Sequence, residues 1–324
     1  MKTLEKIIDD AHIDVDEKYT HIAMSFYPFK FNTSKDQVTY FEGINCYAII
    51  GSGKIKLKKP MSIGLTSINS SGLAFTRINL ENNEFLEFEN LCYAVILSPF
   101  ISGTKEPWEN IQICMTLLCL MEQSRSFEPC FIRYISSLDK PYSCSEISPE
   151  KAIPTLPVLY KDINSLLKEI QAFKTKKIMD DMVVRSAFSW FHRSLNINDD
   201  NFKFLSAWIA CETITKSKET DVKKIVKFLH EHLINDSNFY KYNNEKEAKE
   251  YLLLGRLHGI RGAITHTGNE NIINNLFIKY VQLLFAEMVF AYYKLPPTKL
   301  IYYFLKDNRS NLCSLLQQHK AIKF

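Results

Sequence analysis

The chain has 324 residues, of which 46% are hydrophobic and 13% aromatic, so it can bury a sizeable core and is not a disordered protein. Its length predicts one large domain or two ordinary ones. Residues 1–150 carry 14 Lys/Arg and 19 Asp/Glu, a formal charge of −5, and residues 151–324 carry 26 and 17, a formal charge of +9. A basic half favours an anionic partner such as nucleic acid, although surface lysines that serve solubility would give the same excess.

Three features predict a cytoplasmic protein that does not enter the membrane. The N-terminus is charged and lacks the apolar core of a signal peptide. The eight cysteines never show the two-residue spacing of zinc or redox sites and sit mostly in apolar runs, so we interpret them as reduced core thiols. The most apolar segment, 271–294, is interrupted by Lys279, Gln282 and Glu287, which favours a buried helix over a membrane span. We expect neither a metal nor a cofactor.

The first half of the chain has the pattern of a sheet. Residues 3–11 are predicted to form a short helix, and short apolar runs then alternate with turn residues, as in an antiparallel sheet or small barrel. The runs are 21–27, 44–50, 55–57, 61–68, 73–80 and 91–97, followed by a helix at 110–123 and a strand at 131–135. Residues 51–54, Gly-Ser-Gly-Lys, lack the first glycine and the final Ser/Thr of a phosphate-binding loop, so a hairpin turn is predicted there.

These patterns, with the helical pattern of the second half, predict an α+β protein of two domains. Residues 1–138 are predicted to form a β-rich mixed domain of unknown role, which would sense a ligand or bind a partner. Residues 139–159 hold four prolines and several serines, which is typical of a linker. Residues 160–324 are predicted to form an all-α helical bundle.

In the second half, the apolar period becomes helical. Helices are predicted at 160–173, 180–195, 201–216, 219–234, 245–266 and 271–293, with one more in the tail 296–324. Residues 198–200, Asn-Asp-Asp, supply an N-cap for the third helix, and Gly268 is placed to end the fifth. The sixth helix is apolar on nearly all sides, so we expect it at the centre of the bundle.

One face of the third helix carries an acid among apolar residues. Leu205, Trp208, Ile209 and Glu212 are related by spacings of three and four residues, which places them on one side of the helix. Glu212 is therefore predicted to be a carboxylate directed inward. A buried acid needs a partner, and an arginine from another helix is the natural candidate.

The fifth helix carries a stripe of glycines. Gly255, Gly259 and Gly262 lie at spacings of four and three, and the stripe ends at His266. Each glycine inside a helix costs about 1 kcal/mol relative to alanine. Close approach of another backbone, either from the central helix or from a second copy of the protein, would compensate. A break of the helix near Gly259 is the alternative.

Arg261 and His266 stand at the end of this helix. They lie about 140° apart around an ideal helix and so are not on one face. The C-terminal end of a helix stabilises a protonated imidazole, which suits His266 to donate a proton or to pair with phosphate. Two copies facing each other across a dimer axis would pool two arginines and two histidines.

Three blocks of the second half resemble successive blocks of ApeA-like HEPN domains. They are residues 188–195 (FSWFHRSL), 204–214 (FLSAWIACETI) and 256–268 (RLHGIRGAITHTG), and the resemblance covers about residues 160–295. It implies a HEPN-type bundle that acts as a metal-independent endoribonuclease, commonly in phage-defence and toxin systems, and that dimerises to form a composite site. Arg261 and His266 fall on the family's catalytic pair, and Glu212 falls on its helix-borne acid.

The resemblance and the chemistry of the residues together give a mechanism. His266 would be the general acid/base, Arg261 would hold the phosphate, and Glu212 would orient Arg261. The products would carry 2′,3′-cyclic phosphate ends. Basic residues expected to guide the RNA backbone are Lys216, Lys218, Lys223, Lys224, Lys227, Arg256 and His258, with Lys174, Lys176 and Lys177. The lysines are equally interpretable as solvated helix faces.

Two further interpretations stay open. The chain departs from the family at Gly262, because active members often carry a polar residue directly after the motif arginine. This favours a non-catalytic dimerisation or nucleic-acid-binding module within a defence complex, with Arg261 and Glu212 as a structural ion pair and His266 as a helix cap. A sensor subunit, activated by a partner or ligand at the N-terminal domain, is compatible with either function.

Overall fold

The computed structural model describes residues 2–3, 21–29, 37–58, 64–68, 74–77, 85–101, 107–122, 131–136, 141–146, 171–216, 222–234, 236, 238–267 and 273–320. The chain divides into two compact units, Met1–Leu117 with Ser124–Lys177, and Leu118–Gln123 with Ile178–Phe324. Strands occupy the first unit and a set of helices the second, so the protein is of the α+β class. The helices predicted at 3–11 and 160–173 fall outside the described residues, apart from residue 3 and residues 171–173.

The first unit is built on one mixed sheet. Its strands lie in the order β1-β4-β7-β2-β8-β9, with β3 also paired to β4, and β5 pairs with β6 separately. Only the β1–β4 pairing is parallel among those described. The strands are β1 (Lys2–Thr3), β2 (His21–Phe29), β3 (Gln37–Phe41), β4 (Cys46–Lys58), β5 (Gly64–Ile68), β6 (Ala74–Arg77), β7 (Phe85–Phe100), β8 (Phe131–Ser136) and β9 (Pro141–Glu146).

The hairpin turn predicted at residues 51–54 is wrong, because β4 runs through them without turning. The long strand β7 pairs with both halves of β4, and the pairing register shifts between Gly53 and Ile55. A glycine inside a strand is a frequent mark of such an irregularity. The glycines of this stretch therefore lie within one strand, at or near an irregularity of its pairing, and do not connect two strands.

Part of the predicted linker is a strand. Residues 141–146, inside the segment 139–159, form β9 at the edge of the sheet and pair antiparallel with β8. Pro141 is the first residue of this edge strand, where the missing backbone N–H is tolerated. The proline that indicated a linker is thus compatible with the strand.

The helices of the described chain follow the predicted order closely. They are α1 (Trp108–Glu122), α2 (Met182–Asn196), α3 (Asp200–Ile214), α4 (Lys223–Leu233), α5 (Glu245–Tyr251), α6 (Leu254–Thr267), α7 (Asn275–Tyr292) and α8 (Leu300–Lys320). Side-chain caps fix several of their starts. Asp181 accepts from the backbone N–H groups of Val183 and Val184, and Asp199, inside the predicted Asn-Asp-Asp cap, accepts from Phe202 at 2.9 Å.

Helix α7 is the centre of the second unit, as predicted. Every residue from Tyr280 to Phe290 is buried, and the helix packs against α2, α3, α4 and α8. Its two interior polar groups are both satisfied. Gln282 donates to the backbone oxygen of Ser194 at 3.3 Å, and Glu287 accepts from His232 at 2.9 Å and from the backbone N–H and hydroxyl of Thr298. Among the described residues, no helix has the length and apolarity needed to cross a bilayer.

The helix predicted at 245–266 is interrupted, at Leu252 and Leu253 and not near Gly259. Leu253 has a φ of 56°, a left-handed conformation that costs a side chain about 1 kcal/mol or more. Leu252, Leu253 and Leu254 are all buried, which three successive residues of a straight helix cannot achieve on one face. Two carbonyls at this interruption accept side-chain donors: Arg309 donates to Tyr251 O at 2.7 Å and Tyr280 donates to Leu252 O at 2.9 Å.

Candidate functional site

The inward acid of the third helix meets the arginine of the motif. Glu212 lies on α3 and is 6% exposed, and Arg261 lies on α6. Nε of Arg261 is 3.6 Å from Oε1 of Glu212, and the side chains are 12% and 7% exposed. The distance is that of an ion pair, slightly longer than a hydrogen bond. The expected arginine partner of Glu212 is therefore present, and it is the motif arginine.

A second donor reaches the same oxygen of Glu212. The indole Nε1 of Trp208, one turn earlier on α3, donates to Oε1 at 2.9 Å, and Trp208 is fully buried. The sequence placed Trp208 and Glu212 on one face but did not indicate this hydrogen bond. The i, i+4 spacing of a buried tryptophan and an acid was the available signal.

The ring of Trp208 is held by aromatic neighbours from both helices. Phe204 stacks near it on α3, with ring centroids 6.3 Å apart and planes 15° apart. His258 of α6 approaches it with centroids 6.1 Å apart. His258 was predicted to contact RNA, and the structure places it half-buried against Trp208, one turn before Arg261. It belongs to the contact between α3 and α6.

His266 lies in the last turn of α6, which ends at Thr267. Its side chain and Gly268, the predicted end of the helix, are outside the described residues. Thr265, its neighbour, is exposed and donates its hydroxyl to the carbonyls of Arg261 and Gly262 at 3.0 and 3.1 Å. The helical backbone here puts His266 about 140° around the axis from Arg261.

The glycines of α6 do not face the central helix. A Cβ at Gly259 or Gly262 would meet no atom of the described chain within 4 Å, and at Gly255 it would meet only the side chain of Lys249. The expectation that another backbone of the same chain approaches here is therefore wrong for Gly259 and Gly262. Helix α6 continues through both glycines because Ile260, Ala263 and Ile264 of the same helix are buried.

The predicted RNA-guiding residues are mostly at the surface of the helical unit. Lys216, Lys223, Lys224, Lys227 and Arg256 are exposed, and Lys218 lies outside the described residues. Nζ of Lys224 donates to the backbone oxygen of Lys216 at 2.7 Å, which brings the end of α3 to the start of α4. Lys227 is 3.8 Å from Glu231, an exposed pair of little energetic weight.

The other three predicted lysines lie elsewhere. Lys174, Lys176 and Lys177 belong to the first unit, whereas the five described basic residues above belong to the second.

Burial shifts the pKa of two side chains that belong to the sequence blocks 188–195 and 204–214. Burial, followed by the charge of Glu212, raises the pKa of the Cys211 thiol well above its usual range, so this cysteine stays protonated. Burial lowers the pKa of His192 on α2 to about 4, and its Nε2 lies 2.6 Å from Nδ2 of Asn196. Both groups are therefore neutral near pH 7.

Comparison of the chain with models of known protein families, with curated proteins and with solved structures finds no match. Within the described part of the chain, no group of three or more His, Cys, Asp or Glu residues is placed to hold a metal ion. The candidate site therefore consists of Arg261 and Glu212, with Trp208 and His258 beside them and His266 one turn further along α6.

Proposed function

We propose that the chain is a HEPN-type, metal-independent endoribonuclease, a cytoplasmic defence or toxin effector that cleaves RNA at a composite site formed by two copies. The observation that carries this proposal is the buried contact between Glu212 and Arg261. The proposed mechanism has Glu212 orient Arg261, which needs the acid and the arginine to meet across two helices, and the 3.6 Å contact between α3 and α6 supports this role.

The reaction needs little beyond these side chains because RNA supplies its own nucleophile. The 2′-oxygen loses its proton and forms a bond to phosphorus, and the bond from phosphorus to the 5′-oxygen breaks as that oxygen gains a proton. His266 moves these protons, since an imidazole titrates near neutral pH. Arg261 pairs with the non-bridging oxygens as negative charge develops on them. The products are a 2′,3′-cyclic phosphate and a 5′-hydroxyl.

Glu212 has a positioning role in this mechanism. Its carboxylate orients the guanidinium of Arg261 on α6. An arginine that is already oriented before RNA binds loses less conformational entropy when it pairs with phosphate. More of the free energy of this pairing then stabilises the transition state.

A second copy of the chain supplies the arrangement that one helix lacks. Arg261 and His266 are about 140° apart around α6, and a Cβ added at Gly259 or Gly262 would meet no other described atom within 4 Å. Packing of two α6 helices on the face of these glycines would bring the His266 ends of the two motifs together. The exposed lysines at the start of α4 then provide a basic path for the RNA backbone.

One observation favours the second candidate function, a non-catalytic dimerisation or nucleic-acid-binding module. Only 12% of the Arg261 side chain is exposed, and its contact with Glu212 is compatible with a purely structural ion pair. Gly262 after the arginine agrees with this alternative. The two functions differ in whether His266 is needed for RNA cleavage.

The test is incubation of the purified full-length protein with RNA in excess EDTA. The comparison includes Arg261→Ala, His266→Ala and the matched control Thr265→Ala, which alters an exposed neighbour whose hydroxyl bonds only within its own helix. The nuclease requires cleavage by wild type and the control, and none by the two site variants. RNA binding without cleavage, or equal cleavage by all four folded proteins, would favour the non-catalytic module.

A further inference from the structure

Trp208 and Arg261 contact one oxygen of Glu212 although they come from different helices. The indole N–H donates to Oε1 at 2.9 Å, and Nε of Arg261 is 3.6 Å from the same atom. Trp208 is fully buried and Glu212 nearly so. The acid therefore receives a neutral donor from its own helix and a cation from α6.

The indole donor is suited to fixing a carboxylate. An indole N–H can only donate, so it pairs with an acceptor oxygen such as Oε1 of Glu212. Its hydrogen bond to an ionised acceptor is about twice as strong as a bond between neutral groups. The terminal torsion of glutamate has broad preferences, so a carboxylate without this donor would rotate more freely beside the guanidinium.

The direction of the indole N–H is itself set by packing. Phe204 of α3 lies nearly parallel to the Trp208 ring, and His258 of α6 lies against it with centroids 6.1 Å apart. The ring is thus anchored on both helices that carry the ion pair. A small residue or an unanchored ring at position 208 would not direct a donor at Oε1.

We propose that Trp208 is a positioning residue for Arg261: its N–H orients Glu212, and Glu212 orients the guanidinium. The effect on RNA cleavage rests on the proposed function, whereas the order of the Arg261 side chain is a property of the fold. Trp208 acts through Glu212 and does not touch the substrate. Its removal therefore loosens Arg261 and lowers turnover.

The first test measures the Arg261 side chain directly in the full-length protein. The Nε–H signal of Arg261, assigned by its loss in Arg261→Lys, is followed by NMR for its heteronuclear NOE and its exchange with water. Trp208→Phe keeps an aromatic ring but removes the donor, and should lower the NOE and speed exchange about tenfold. Trp190→Phe, at a half-buried tryptophan on α2, should change neither. An unchanged Arg261 signal in folded Trp208→Phe would overturn the proposal.

The variant Glu212→Gln tests the hydrogen bond between Trp208 and Glu212 even if Trp208→Phe does not fold. It replaces the ionised acceptor with a neutral one, so the indole proton of Trp208 should shift upfield while that of Trp190 stays in place. An unmoved Trp208 signal would show that the hydrogen bond to Glu212 does not operate in solution, and the proposal would fail.

The second test is a double-mutant cycle on RNA cleavage. Trp208→Phe should lower the turnover number about tenfold, and Trp208→Phe with Glu212→Gln should be no slower than Glu212→Gln alone, because Trp208 acts through that acid. If the losses of turnover in the two single variants add up in the double variant, Trp208 does not act through Glu212 and the proposal is overturned. A wild-type protein that cleaves no RNA would contradict RNA cleavage by the protein alone, and the NMR result would still decide the role of Trp208.

Discussion

Nε of Arg261 lies 3.6 Å from Oε1 of Glu212, and 12% and 7% of these two side chains are exposed. The pair joins α6 to α3 in a region of low dielectric, where attraction between the charges is strong but their desolvation is also costly. Losing one partner of such a pair is therefore worse for stability than losing both.

Glu212→Leu should lower the free energy of unfolding by about 3 kcal/mol, because it leaves the charge of Arg261 buried without its acid. The double variant Glu212→Leu with Arg261→Met should recover most of this loss, since no buried charge remains. Urea unfolding at neutral pH measures both. A single variant as stable as wild type would show that Glu212 does not neutralise Arg261.

His192 should make the protein less stable in mild acid. Burial lowers its pKa in the fold to about 4 from an ordinary 6.5, so between these values the unfolded chain binds a proton that the folded chain does not. Stability contributed by neutral His192 is therefore complete above about pH 6.5 and falls as the pH drops towards 4. Unfolding by urea across this range should give a shallower pH dependence for His192→Gln than for wild type. Identical slopes would contradict the burial effect.

Lys294 should be a position where glycine is stabilising. It is exposed, follows the end of α7 and has a φ of 53°, a left-handed conformation that suits glycine. Lys294→Gly should raise the free energy of unfolding by about 1 kcal/mol. Lys294→Ala keeps a Cβ and serves as the control, with no comparable gain. Equal stability of the glycine and alanine variants would argue against strain at this residue.

RNA binding should depend on salt through the lysines at the start of α4. Lys223 and Lys224 are exposed there, so Lys223→Gln with Lys224→Gln should weaken binding and reduce the slope of log affinity against log salt by up to about 2. The control pair Lys246→Gln with Lys249→Gln removes the same charge from exposed positions on α5. Fluorescence anisotropy with a labelled RNA at several salt concentrations measures the slopes. Equal losses in both pairs would indicate only a general charge effect.

The helical half was largely predictable because its signals are local. Each signal depends on residues no more than one or two helical turns apart. This holds for the apolar period, the Asn-Asp-Asp cap and the inward position of Glu212. Burying an acid without a partner is costly, so an arginine partner is expected for Glu212. Arg261 is found beside Glu212. The catalytic roles of Arg261, Glu212 and His266 remain predictions.

The errors arose where a distant contact decides between local alternatives. Glycines at 51 and 53 indicate a turn or an irregularity within a strand equally well, and pairing with β7 on both sides of them selects the strand. The interruption at Leu252 and Leu253 contains neither glycine nor proline. It is held by Tyr280 and Arg309, which are 28 and 58 residues away from the carbonyls that they bind.

The most direct test of the central claim is the chemistry of the cut ends. RNA treated with the full-length protein in EDTA should carry 2′,3′-cyclic phosphate and 5′-hydroxyl ends, and RNA with 2′-O-methyl groups throughout should stay intact, because the nucleophile is blocked. Folded His266→Ala should give no such ends, while Thr265→Ala should match wild type. Cyclic ends produced equally by wild type and His266→Ala, or cleavage of the 2′-O-methyl RNA, would contradict the account.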